Sequence, residues 1–245
     1  MTRSGAAGRE AGPSGGSARI AGFTFLFYIA AGIASLLLFG RATAGIDIAA
    51  KLATLAHHVV ELRFVVLLDL ACSFSAMTLG VTLYALTWRQ GEQLAMFALV
   101  CRLCEGFLIA GSVPNNLDLL WLANAAGGGG QDANSAQMLA AYLLRSNVAL
   151  TSSFFAVGSL LFAVLFVRGR VVPAPLAWLG IAASGLLVIA LPLQLAGFLD
   201  GAAASLLWLP MLAFEVPLGL WLLFKGVTTP TLGRAARFGG PEDVK

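Results

Sequence analysis

Arg102 and Glu105 stand three residues apart in the run C-R-L-C-E-G-F at 101–107. On a helix that spacing puts both side chains on one face, a turn apart. A cation and a carboxylate held in this way can fix each other's geometry, bind a charged ligand or exchange a proton. Asp69, Glu215 and the amide of Gln194 lie in other apolar segments, and Arg63 lies near the rim of the segment that holds Asp69. These six residues are the candidate buried polar network or binding site. Without Arg63 it sets one cation against three carboxylates, and full ionisation would leave a costly negative charge in an apolar setting. At least one carboxyl is therefore expected to hold a proton, or to meet Arg63 or water. A carboxyl that exchanges a proton beside a fixed arginine suits proton coupling or substrate binding. A purely structural lock accounts for the same residues equally well.

Other residues of reactive type carry less. Cys101 and Cys104 form a C-x-x-C, but they sit in mid-helix, without the helix N-terminus that activates such thiols. Only Cys72 remains to join them, too few ligands for zinc. All three are expected to pack as small apolar side chains. His57 and His58 are adjacent and not at the i, i+4 spacing of a helical metal pair, so with Glu61 they read as a solvated loop. No G-x-S-x-G, H-E-x-x-H, Walker or G-x-G-x-x-G pattern stands in a suitable context. Catalytic residues, a bound metal and a cofactor are not expected.

The segments that must position these groups are read from composition. Hydrophobic residues make up 59% of the chain and charged residues 11%, with mean hydropathy +0.87. Soluble domains carry about 25% charged residues, so this chain cannot cover a water-facing globule. Residues 20–39, 147–167 and 174–199 contain no charge, and 64–88, 93–113 and 201–224 contain only Asp69, Arg102 with Glu105, and Glu215. Each is near the ~20 residues that span a bilayer. The expected fold is all-α: a polytopic six-transmembrane-helix bundle, with helices at about 19–40, 62–88, 92–113, 136–168, 174–199 and 203–225. The first run, 20 residues long, exceeds the ~7–15 of a signal-peptide core. Residues 1–17, rich in Gly, Ser and Ala, are expected to be a disordered tail, 18–226 the membrane domain and 227–245 a cytoplasmic tail.

Ten Lys and Arg residues fall on the N-terminal side of these spans and four on the other. By the positive-inside rule both termini are cytoplasmic, in a multi-pass protein of the cell's inner membrane. Topology also accounts for the net charge of +3, and no basic patch with aromatics points to nucleic acid. On the outer side, Ile48, Leu52, Leu55, Val59 and Leu62 make an amphipathic helical stripe. A loop from Pro114 leads to the tetraglycine at 127–130, and 135–168 reads as one helix about 50 Å long, more than a bilayer needs. Its first third and the stripe are expected to form a small helical cap on the outer face.

The segment A-R-I-A-G-F-T-F-L-F-Y-I-A-A-G-I at 18–33 resembles the opening helix of a bacterial membrane-protein family, domain of unknown function 4386. L-R-F-V-V-L-L-D-L at 62–70, L-Y-A-L at 83–86 and C-R-L-C-E at 101–105 continue the similarity in order. V-P-A-P-L-A-W-L-G at 172–180 and F-E-V-P-L-G-L-W-L-L-F-K-G at 214–226 complete it. The resemblance implies a six-helix inner-membrane fold with no established activity, and places Arg63, Asp69, Arg102, Glu105 and Glu215 on the family's motif. It also implies a histidine in the fourth span where this chain has Gly158, which counts against any activity that needs that group. Three function classes stay open. One is a small carrier or binding protein with the arginine–carboxylate site. The second is a membrane-embedded enzyme on a lipidic substrate, which lacks a recognisable nucleophile or metal set. The third is a non-catalytic structural, sensory or accessory bundle. The bilayer is the expected partner, with a small-molecule or lipidic ligand if the site binds; no protein partner is indicated.

Overall fold

The computed structural model describes residues 15–126, 133–145, 148–199 and 206–227. The expected tail before residue 15, the tetraglycine, the start of the sixth apolar run and the C-terminal tail from 228 lie outside the described residues. In lipid every backbone N–H and C=O must be bonded within its own segment, so long apolar runs become helices. The described elements follow that rule. They are α1 (Gly15–Ala42), α2 (Ile48–His57), α3 (Val59–Thr87) with a 3-10 turn at Trp88–Gln90, and α4 (Glu92–Ala126). Then come α5 (Ala133–Leu143), α6 (Val148–Gly169), α7 (Ala174–Leu195) and α8 (Leu209–Phe224). There are no strands among the described residues. Five segments are long and apolar enough to cross a membrane, the pattern of a multi-pass membrane protein, and the 16-residue α8 is apolar but shorter.

The long helices and α8 close into a ring of six in the order α1, α3, α4, α6, α7, α8 and back to α1. Phe25, Leu79, Phe162, Phe166, Leu187, Met211, Phe214 and Leu218 fill its interior. Without a hydrophobic drive between helices in lipid, close approach through small residues holds such seams. A side chain on Gly22 of α1 would strike the α8 backbone at Gly219 and Leu223, and one on Gly180 of α7 would strike the Phe214 ring. Ser184, a turn after Gly180, donates to the Met211 sulfur at 3.8 Å.

Besides α1, which begins at Gly15, inside the stretch 1–17 expected as a tail, three helix boundaries differ from expectation. α4 does not end at 113 but continues through Pro114 to Ala126. Proline removes one N–H from the ladder, and the packed surroundings hold the helix together across the gap. The expected single helix over 136–168 is two, α5 and α6. The Leu144 N–H makes the last i−4 bond, to Ala140, and the Arg145 N–H bonds Tyr142, which tightens the turn and ends α5. α7 stops at Leu195 rather than 199. Gly197, at φ +80°, donates to the Gln194 carbonyl and Phe198 to that of Leu193, a pair of bonds that closes a helix in the left-handed conformation.

The far arm of α4, α2 and α5 pack together at one end of the bundle. Leu52, Leu122 and Ala140 form one small core, and Leu55, Leu62, Leu119 and Leu143 another. The stripe that begins at Ile48 thus faces its neighbours, but the chain breaks at His58, whose backbone is non-helical, before α3 begins. Asp47 caps α2 by accepting from the Ala50 N–H at 2.7 Å.

Candidate functional site

α4 carries Arg102 into the bundle interior, where it is 1% exposed. Its stem can pass because α6 offers Gly158 there: a Cβ would lie 3.3 Å from Arg102 Cδ and 3.2 Å from Cys101 Cβ. The guanidinium then lies between two aromatic faces, 5.5 Å from the Tyr28 ring centre of α1 and 5.2 Å from that of Phe155 of α6. Each such contact contributes ~0.5–2 kcal/mol, more where water is excluded. One turn along α4, Glu105 is fully buried and accepts from the Tyr28 hydroxyl at 2.6 Å through Oε1. Its Oε2 stands 2.9 Å from Arg102 Nη1. That approach is close enough for an ion pair but too oblique for a hydrogen bond, and both atoms lack one.

Glu215 of α8 is buried and lies within electrostatic reach of Arg102, Glu105 and Tyr28. Its Oε1 finds no hydrogen-bond partner among the described residues, and neither does Arg102 Nε, Nη1 or Nη2. The centre therefore combines a flat cation with donors unused by protein, and two carboxyls on different helices. One cation faces two carboxyls, so the group is electrically neutral when it holds one proton. Chemically this arrangement can accept an oxygen-rich group, move a proton, or simply brace four helices.

Asp69 belongs to a different cluster. Its Oδ1 accepts from the Ser35 hydroxyl of α1 at 2.6 Å and its Oδ2 from the Asn116 amide of α4 at 2.9 Å. Asn116 is eleven residues beyond Glu105 on the same helix, about 16 Å toward the α2–α5 end. Cys72, one turn along α3 from Asp69, lies between the two groups, within electrostatic reach of both Asp69 and Glu105. Arg63 is exposed on α3 and joins neither cluster. Gln194 is half-buried near the end of α7, where its backbone carbonyl serves the helix cap. The structure thus brings Arg102, Glu105 and Glu215 together, places Asp69 apart, and leaves Arg63 and Gln194 outside both groups.

Tyr28, Phe155, Ser35 and Asn116 have no charge to draw attention in a sequence. Tyr28 was readable only as the one hydroxylated ring among the phenylalanines of the first apolar run, and Asn116 only as an amide two residues past Pro114, in a stretch expected to be a loop. All three cysteines are free; Cys72 and Cys101 are buried and Cys104 is half-buried. His58 Nδ1 lies 2.9 Å from the Thr54 carbonyl at the α2–α3 break. Among the described residues no group of three or more His, Cys, Asp and Glu could hold a metal ion.

No curated protein and no solved structure matches this chain. The sequence model of one family, described as Domain of unknown function (DUF4386), matches residues 20–226. That span runs from the first turns of α1 to the end of α8 and includes every member of both polar clusters, so the chain belongs to the domain of unknown function 4386 family.

Proposed function

We propose that this protein is a small carrier or binding protein of the bacterial inner membrane that takes up a small anion together with a proton at Arg102, Glu105 and Glu215. The observation that carries the proposal is the state of Arg102, a buried guanidinium whose three nitrogens make no hydrogen bond to the described protein. Buried polar groups in native proteins are nearly always bonded, so these donors call for an acceptor. A carboxylate or phosphate fits a guanidinium edge better than any neutral group. The proton follows from charge. The cluster is neutral with one proton aboard, and an added anion keeps it neutral only if a second proton enters with it.

On this proposal α8 is the sixth span, and α2, α5 and the end of α4 form a cap on the outer face. Both termini then face the cytoplasm. The end of the bundle opposite α2 and α5 supports that orientation: Arg89 lies 5.3 Å from the Trp88 ring and Lys225 5.7 Å from the Trp221 ring. Tryptophans mark either membrane interface in such proteins, and an excess of basic residues marks the cytoplasmic one.

A second reading has its own support. The ion pair, the two ring contacts and the Tyr28 hydrogen bond tie α1, α4 and α6 together without any ligand. The two readings separate in thermal-shift measurements on nanodisc-embedded protein, with acetate, benzoate and inorganic phosphate as probes at several pH values. Stabilisation by one of these anions that grows as pH falls, and that loses its pH dependence in the Glu105→Gln, Glu215→Gln double variant, supports the carrier or binding role. No shift with any probe at any pH leaves the brace as the better account.

A further inference from the structure

Asp69 is a carboxyl within α3 that the anion site does not use. It sits on α3 between two helices that each give it a neutral donor, Ser35 of α1 and Asn116 of α4. The Ser112 hydroxyl of α4 is also within reach of it. No charged side chain acts on it across either seam among the described residues. α1 presents Ser35, α4 presents Asn116 and Ser112, and the titratable neighbours are Cys72 on its own helix and Glu105 beyond Cys72. A lone carboxylate at membrane depth is costly, ~2.5–3.5 kcal/mol on insertion scales, and a proton removes that cost.

The partners tolerate both states. A carboxylate accepts from Ser35 and Asn116 as observed. A protonated carboxyl can donate to the Ser35 oxygen, since a hydroxyl works in either sense, while its other oxygen still accepts from Asn116. The proton therefore binds without leaving a group unsatisfied, but it turns charge-assisted hydrogen bonds into neutral ones of roughly half the strength.

Asn116 is where that change has mechanical effect. It is two residues past Pro114, the break in the α4 ladder, and begins the arm that packs against α2 and α5. Kinks in long helices concentrate at such prolines. Pro114 is thus where the arm can bend, and the arm is fastened by its first turn to α3 and α1 through Asp69. We propose that Asp69 is a proton-binding site whose charge state latches the arm of α4 beyond Pro114: closed when Asp69 is ionised, loosened when it is protonated. This stands independently of what Arg102 binds.

Cys72 is a built-in reporter, buried one turn from Asp69 with its thiol facing the Tyr28 carbonyl at 3.9 Å. In a Cys101→Ser, Cys104→Ser background, its rate of reaction with a hydrophilic maleimide is compared at one pH between Asp69, Asp69→Asn and Asn116→Ala. Asp69→Asn imitates the protonated carboxyl. Labelling faster by about tenfold in both variants is expected from the loss of a charge-assisted bond. Deuterium exchange should quicken in parallel over 115–126 and not over 92–108, which separates release of the arm from general unfolding. Equal labelling in all three proteins overturns the latch. So does faster exchange along the whole of α4.

Discussion

The Tyr28 hydroxyl donates to Glu105 at 2.6 Å across the interior of the ring, between α1 and α4, which are not neighbours in it. One tyrosine therefore fixes the carboxylate with its hydroxyl and covers the guanidinium of Arg102 with its ring. The two roles can be separated by substitution.

Tyr28→Phe keeps the ring and removes the hydrogen bond. It is expected to lower stability by about 1–3 kcal/mol, the cost of leaving a buried acceptor without its donor. Tyr28→Leu removes the ring contact as well and should cost more. Thermal unfolding in nanodiscs checks the order; a Tyr28→Phe protein as stable as wild type would mean that Glu105 has another partner.

Arg102→Lys keeps the charge but not the flat surface that stacks between Tyr28 and Phe155, nor the forked donors. The variant is expected to insert and fold yet to lose stabilisation by anions. Arg102→Ala leaves Glu105 buried without its cation and should cost about 3–5 kcal/mol, as broken buried pairs do. Fluorescence-detected size exclusion after heating measures both. A fully stable Arg102→Ala would remove the ion pair from any structural role.

Gly158→Leu fills the space through which the arginine stem passes. The added Cβ alone lies 3.3 Å from both Arg102 Cδ and the Ala98 carbonyl, so α4 and α6 must part or Arg102 must move. Overpacking of this kind costs ~1–3 kcal/mol. The variant should lose anion stabilisation even where it folds, while Gly185→Leu, at a position open to its surroundings, should do neither.

Much of this architecture is written in the sequence because bilayer thickness imposes a length on apolar runs. The charge-free stretches 20–39 and 174–199 became α1, which runs a few residues past both ends, and α7, which is cut short by its Gly197 cap. Pro114 misled, since proline marks a helix end in water but is held inside a helix when neighbours pack around it. Arg102 and Glu105 were legible as a pair because i, i+3 spacing is local. Their partners were not. Which helix of the ring lies opposite which is set by packing, so sequence alone could not bring Glu215 to Arg102 while sending Asp69 to Ser35 and Asn116. Nor could it show that Arg63, on the same helix as Asp69, turns away from both clusters.

Proton linkage at Arg102, Glu105 and Glu215 is tested most directly by calorimetry of anion binding in buffers of different ionisation enthalpy, which counts protons taken up per anion bound. The charge balance predicts uptake of about one proton per anion, and an affinity that rises up to about tenfold per unit fall in pH. It also predicts that uptake disappears in the Glu105→Gln, Glu215→Gln double variant. Anion binding with no proton uptake, or with proton release, would contradict it.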